Sequence, residues 1–187
     1  MRAQALNENK TFPTALQRLI EEYSMSVKAP EGGRIHVVRV PVNPGREWQE
    51  AVNTAGPDTG KDWDIRKVAG LYPPQQGETS EKEIILVNFG KSSSQHALDW
   101  AKPLGLRPVA PRGIFAVGEH QPKLNEELGM PYMAVVSLEE CSFEGRRHVP
   151  YVWWNESGRR AHLDWFGSDW NDDYWVAFSR GSSDSGH

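Results

Sequence analysis

The spacing of apolar residues changes near residue 130. Before it, helical and extended patterns alternate; after it, short runs with a period of two dominate. Leu16, Leu19, Ile20 and Tyr23 recur at helical spacing behind a Thr11 cap and Pro13, which predicts an amphipathic helix over 12–24. Residues 34–42 alternate, with β-branched Ile35, Val37 and Val40, and read as a strand that Pro41 places at an edge or exit. Residues 46–55 carry Trp48 and Val52 and read as a short helix closed by Gly56-Pro57. The stretch 57–82 is rich in Gly, Pro and charge, so a long surface loop is predicted, with one short extended piece near 68–71. Residues 83–89 have a continuous apolar centre and predict a strand covered on both faces. Ser92 to Ser94 can cap a helix that holds Ala97, Leu98, Ala101 and Leu104 and ends at Gly105. Pro111 and Pro122 suit first-turn positions and predict short helices over 111–119 and 122–128, the second stopped by Gly129.

From there the runs 132–138, 148–155, 159–166 and 173–179 are each β-prone, and Gly-containing gaps separate the last three from one another and from what precedes them. Such gaps read as hairpin loops, which predicts a four-stranded antiparallel β-meander over 132–180. The fold class is therefore α+β: an N-terminal strand and helices, then the meander. Residues 1–10 are expected to be a disordered lead-in, 11–180 one domain, and 181–187 a disordered tail.

Composition sharpens this only in places. A chain of 187 residues can bury roughly 70% of the surface its unfolded form exposes, so it needs no staples. Its single cysteine, Cys141, allows no intrachain disulfide and points to a reducing compartment. No apolar h-region opens the chain and no apolar run is long enough for a bilayer. A cytoplasmic location without a membrane span is the expectation; export without an N-terminal signal would leave the same sequence. A net charge of −4 argues against a general nucleic-acid binder.

Candidate chemistry is sparse. Cys141, His148, Glu139 and His120 are the residues an enzyme site between the helical half and the meander would use, and a deep pocket holding two or more of them would favour it. A lone cysteine in a strand is more often a small buried hydrophobe. The histidines form no metal-ligand spacing, so no metal and no cofactor is expected. Arg146-Arg147-His148 and Arg159-Arg160 could face each other as a positive patch.

The strongest feature is the C-terminal end, which holds five of the eight tryptophans. Along 159–166, Ala161, Leu163 and Trp165 fall on one face, and His162, Asp164 and Phe166 on the other. The first set suits a core, so Trp153, Leu163, Trp165 and Phe178 are expected to hold the scaffold. The loop from Gly167 to Trp175 mixes hydrogen-bonding side chains with amphipathic rings, as binding surfaces do. The expected ligand-binding residues are Asn155 and Ser157 in one hairpin, His162 and Asp164 on a strand face, and Ser168, Asp169, Asn171, Asp172, Asp173 and Tyr174 in the loop.

Trp170-Asn171-Asp172, followed by an aromatic-rich strand, resembles the Trp-Asn-Asp signature of C-type lectin domains. The stretch from Trp165 to Arg180, ending Trp175-Val176-Ala177-Phe178-Ser179-Arg180, is similar to the C-terminal end of variable proteins from diversity-generating retroelements. Those proteins display a hypermutated region on a C-type lectin-type fold, and adenine-targeted mutagenesis enriches Asn, Asp, Ser and Tyr there. The resemblance covers about the last quarter of the chain. It departs from the calcium-dependent lectins in lacking their Glu-Pro-Asn or Gln-Pro-Asp triplet and their disulfides. What it implies is a non-enzymatic protein whose variable C-terminal surface recognises a protein or other macromolecule. An invariant interaction module of a mobile element is the remaining alternative.

Overall fold

The computed structural model describes residues 27–61 and 63–181. The predicted lead-in, the predicted helix over 12–24 and residues 182–187 lie outside them. Strand β1 (Arg34–Val42) pairs antiparallel with β2 (Ser80–Asn88) along its whole length. Between them come helix α1 (Trp48–Ala55), a short α2 (Asp64–Lys67) and a 3-10 turn (Ala69–Leu71). The tiny strand β3 (Ser92–Ser93) leads into α3 (Ser94–Ala101), where Ser93 caps by accepting the His96 N–H. Strand β4 (Leu106–Pro108), helix α4 (Pro111–His120) and helix α5 (Leu124–Glu127) follow. The last third is β5 (Met133–Val136), β6 (Cys141–Phe143), β7 (Arg146–Asn155), β8 (Gly158–Trp165), β9 (Asp169–Trp170) and β10 (Tyr174–Arg180).

The α+β class stands, with a mostly antiparallel sheet. The four-strand meander does not. β5, β7 and β8 do lie side by side, but β10 leaves them. It crosses back and inserts between β2, antiparallel, and β5, parallel. The reason is burial. Trp175, Val176, Ala177 and Phe178 are all buried, a continuous apolar run that needs cover on both faces. An outer position next to β8 would leave one face wet. The stretch 57–82 also differs from the expected loop. Ile65 and Val68, three apart, turn inward on α2 and just after it, and the Trp48 indole N–H reaches the Ile65 carbonyl at 2.6 Å.

The sheet has two faces with separate cores. On one, Val40, Ile84, Leu86, Val135, Val152, Trp154, Leu163 and Trp175 pack under α1, α4 and α5. On the other, Ile85, Val87, Val176 and Phe178 pack under α3 with the buried ring of Trp170. The apolar run at the centre of β2 thus feeds both cores by simple alternation. Helices α1 and α4 come close because Gly118 has no side chain. A Cβ there would stand 2.7 Å from the Ala55 carbonyl oxygen. Among the described residues no helix is long and apolar enough to cross a membrane.

Candidate functional site

Helix α3 covers only part of the second face. Beyond it, the hairpin β7–β8 keeps the same alternation, and no helix among the described residues covers it. Register pairs Tyr151 with His162 and Trp153 with Arg160, and Tyr174 aligns with Ala134, which in turn faces Trp153. These positions share one face. Their side chains, with Trp63, line a shallow depression of about 250 Å³.

The rings form a connected shelf. Trp63 meets His162 edge-on at 4.7 Å, and Tyr151 lies 5.7 Å from His162. Tyr174 contacts Tyr151, Trp153 and Trp170, and the exposed Tyr132 stacks on Trp153 at 6.0 Å. The Arg160 guanidinium lies over Trp63 at 5.8 Å, a cation–π geometry at its outer limit. Charge differs along the shelf: Arg160 marks one end, while Asp164 and Asp173 stand near Tyr174 at the other. Burial raises the Tyr174 pKa, and Asp164 and Asp173 push it further in the same direction. Tyr174 therefore holds its proton more tightly than a free phenol does. Burial also raises the Tyr151 pKa.

The shelf is held rigid from beneath and from the side. Asp164 accepts from the Trp165 N–H at 2.7 Å and from the Ser168 hydroxyl at 2.9 Å. His162 is fixed through Nδ1, which lies 2.8 Å from the Leu163 N–H. The outer edge of β8 is closed. Asp58 takes the Arg159 N–H, Thr59 takes that of Ala161, and His162 and Asp164 take those of Leu163 and Trp165. This row of side-chain acceptors blocks the edge against a further strand. The 167–174 loop is equally tied down. Trp170 donates to the Ser94 hydroxyl at 2.9 Å, Ser94 donates to the Phe166 carbonyl, and the buried Asn88 amide donates to the carbonyls of Asp172 and Tyr174.

The expected binding residues therefore divide. His162 and Tyr174 line the shelf, Asp164 continues the same strand face beside it, and Ser168 braces Asp164. Asn155 and Ser157 close the hairpin tip, where Asn155 accepts from the Ser157 N–H and hydroxyl. Asn155 continues the alternation of Tyr151 and Trp153. Asp169, Asn171 and Asp172 are exposed beyond Trp170, and Asn171 is occupied by the Asp173 N–H at 2.9 Å. Trp63, Tyr132, Tyr151, Trp153 and Arg160 were not expected. Alternation along 148–155 carries the signal for Tyr151 and Trp153. No local signal exists for Trp63, which reaches the shelf from almost a hundred residues upstream.

Scaffold expectations divide too. Leu163 and Phe178 are buried, but Trp153 is half-buried on the shelf and Trp165 is 52% exposed, with Arg146 over its ring at 4.4 Å. Trp165 has the parity of Leu163 but lies at the strand end, past the edge of the helical layer. The two basic pairs do not face each other. Arg146 and Arg147 sit at one end of the β7–β8 hairpin and Arg159 and Arg160 at the other. Arg147 engages Glu140 and the Phe166 ring; Arg159 donates to the Ala55 carbonyl at 2.6 Å.

The residues of the enzyme alternative do not gather in one pocket: Glu139 lines one concavity and His120 another. Cys141 is buried, and burial raises its thiol pKa. His148 lies across from it on β7, partly exposed, with its ring near Phe143. Glu139 is exposed, and His120 sits beside Glu119 at the end of α4. Among the described residues no three His, Cys, Asp or Glu side chains gather as a metal site. Compared with protein-family models, curated proteins and solved structures, the chain finds no match in any of the three.

Proposed function

We propose that the chain is a non-enzymatic binding protein that presents the aromatic shelf to a protein or other macromolecular partner. One observation carries this: Trp63, Tyr132, Tyr151, Trp153 and Tyr174 gather with Arg160, His162 and Asp164 on a stretch of sheet face that the described residues leave open. Amphipathic rings give contact area at little conformational cost, and the charged groups between them give orientation and specificity. A depression this shallow suits a broad contact better than an enclosed small molecule.

The same proposal includes the likeness to variable proteins of diversity-generating retroelements and to their C-type lectin-type fold. What supports it is the division of labour along 155–174. Ala161, Leu163, Phe166 and Trp170 are buried, while Asn155, Ser157, Arg160, His162, Asp164 and Ser168 reach solvent. A surface that diversifies on a fixed scaffold needs that alternation. Sequencing this locus across a population tests it. Adenine-limited variation is expected at 155, 157, 160, 162, 164 and 168, skipping 161, 163, 166 and 170. Uniform invariance, or substitutions spread equally over buried and exposed codons, would count against the reading.

A further inference from the structure

A second concavity lies apart from the shelf. A cleft of about 630 Å³ opens on the helix-bearing side, between the ends of β1, β2 and β10, the 71–75 loop and the first turn of α4. No residue lines both. Its volume falls in the range of small-molecule sites. Its walls are mainly apolar, with Val42, Leu71, Ile84, Val109, Ala110 and Pro111 among them.

The polar groups in the wall decide what it can hold. Arg112, only 9% exposed, donates from Nε to the Arg46 carbonyl at 2.8 Å, from Nη2 to Tyr72 at 3.0 Å and from Nη1 to Pro73 at 3.3 Å. Its plane also faces the Trp48 ring at 5.6 Å. All three acceptors are neutral, and among the described residues no carboxylate hydrogen-bonds to this cation. A guanidinium has five N–H groups, so each terminal nitrogen keeps one to give. Burying a charge without a counter-ion is costly. Consistent with this, burial lowers the Arg112 pKa, and Glu47 and Glu139 offset that only in part.

We propose that this cleft binds a small organic monocarboxylate, its charge on Arg112 and its compact apolar body between Leu71 and Val109. Charge count at the mouth favours one negative charge over two. Arg112, Arg180 and Lys82 line the cleft beside Glu81, Glu83 and Glu139, and Glu83 already holds Arg39 at 3.1 Å. Arg112 offers one charge for a carboxylate to match, whereas the second charge of a dianionic phosphate would be left facing Glu81 and Glu139.

The test is amide chemical-shift mapping of the full chain with hexanoate, benzoate, phenyl phosphate and hexylamine as probes. Hexanoate or benzoate is expected to move the amides of Leu71, Val109 and Gly113 and leave Tyr151 and His162 unmoved. Ala110→Leu, which narrows the wall, and Arg180→Gln, which removes a mouth cation without touching the Arg112 contacts, are expected to weaken that binding about tenfold or more with unchanged melting temperature. That is about 1.4 kcal/mol. No response to either carboxylate up to about 10 mM, where even a weak fragment registers, would overturn the proposal. So would equal binding of hexylamine, tighter binding of phenyl phosphate, or unchanged affinity in both variants.

Discussion

Two tryptophans eleven residues apart show why residue type alone misleads. Trp154 is 1% exposed and Trp165 is 52% exposed, although both follow the parity of the helical core. Truncating a buried tryptophan leaves a cavity, so Trp154→Ala is expected to cost about 3–5 kcal/mol in denaturant unfolding. Trp165→Ala loses a surface cation–π contact and little else, and is expected to cost less than about 1 kcal/mol. Tyr174 gives a pH test. Its pKa is raised in the folded chain, so folding holds the proton more tightly than the unfolded chain does. That contribution is fully present below the ordinary tyrosine value of about 10 and is lost as pH rises through the folded value. Stability is expected to fall as pH passes about 10. Tyr174→Phe should flatten that fall, read from unfolding midpoints across the alkaline range.

At the scale of elements, the β7–β8 hairpin carries the site and the 58–59 segment guards it. Gly158 turns the hairpin at φ 126, a conformation that disfavours any side chain, and a Cβ there would stand 2.0 Å from Asp58 Oδ2. Gly158→Ala is expected to destabilise by more than about 1 kcal/mol and to loosen the Asp58 contact with it. Thr59→Val removes the acceptor for the Ala161 N–H, which is buried on that edge. An orphaned buried donor costs about 1–3 kcal/mol, and an opened edge invites another strand. Light scattering should therefore show more self-association for Thr59→Val than for the parent chain. Of these features, the hairpin was legible from Gly158 and the flanking alternation. The guard was not, because Asp58 and Thr59 look like ordinary loop polars until β8 lies beside them.

For the whole molecule, the decisive feature is the last strand. β10 bonds to β2 on one side and to β5 and β4 on the other, so the end of the chain completes both cores. Removing residues 174–181 is expected to abolish cooperative unfolding and near-ultraviolet circular dichroism, rather than trim a surface strand. This also bounds any diversification. The residues from Trp175 to Phe178 are buried, so variation can reach Tyr174 but not the strand after it without loss of the fold.

The sequence by itself determined many of the elements. β1 runs over the expected 34–42, β2 and helices α1, α3, α4 and α5 begin within a few residues of their signals, and Gly105 and Gly129 stop theirs in the left-handed region, while α2 and the 3-10 turn at 69–71 fall where a loop with an extended piece was expected. Periodicity, caps and turn residues act over a few positions, so they are written locally. It also placed His162 and Asp164 together, since strand alternation fixes their shared face. Tertiary structure decided the rest: that β10 returns to the centre, that Trp165 ends outside the core, that Trp63 joins the shelf, and that Arg112 is buried in the wall of a cleft. Each depends on which faces find cover, and that is settled by contacts between segments far apart in the chain.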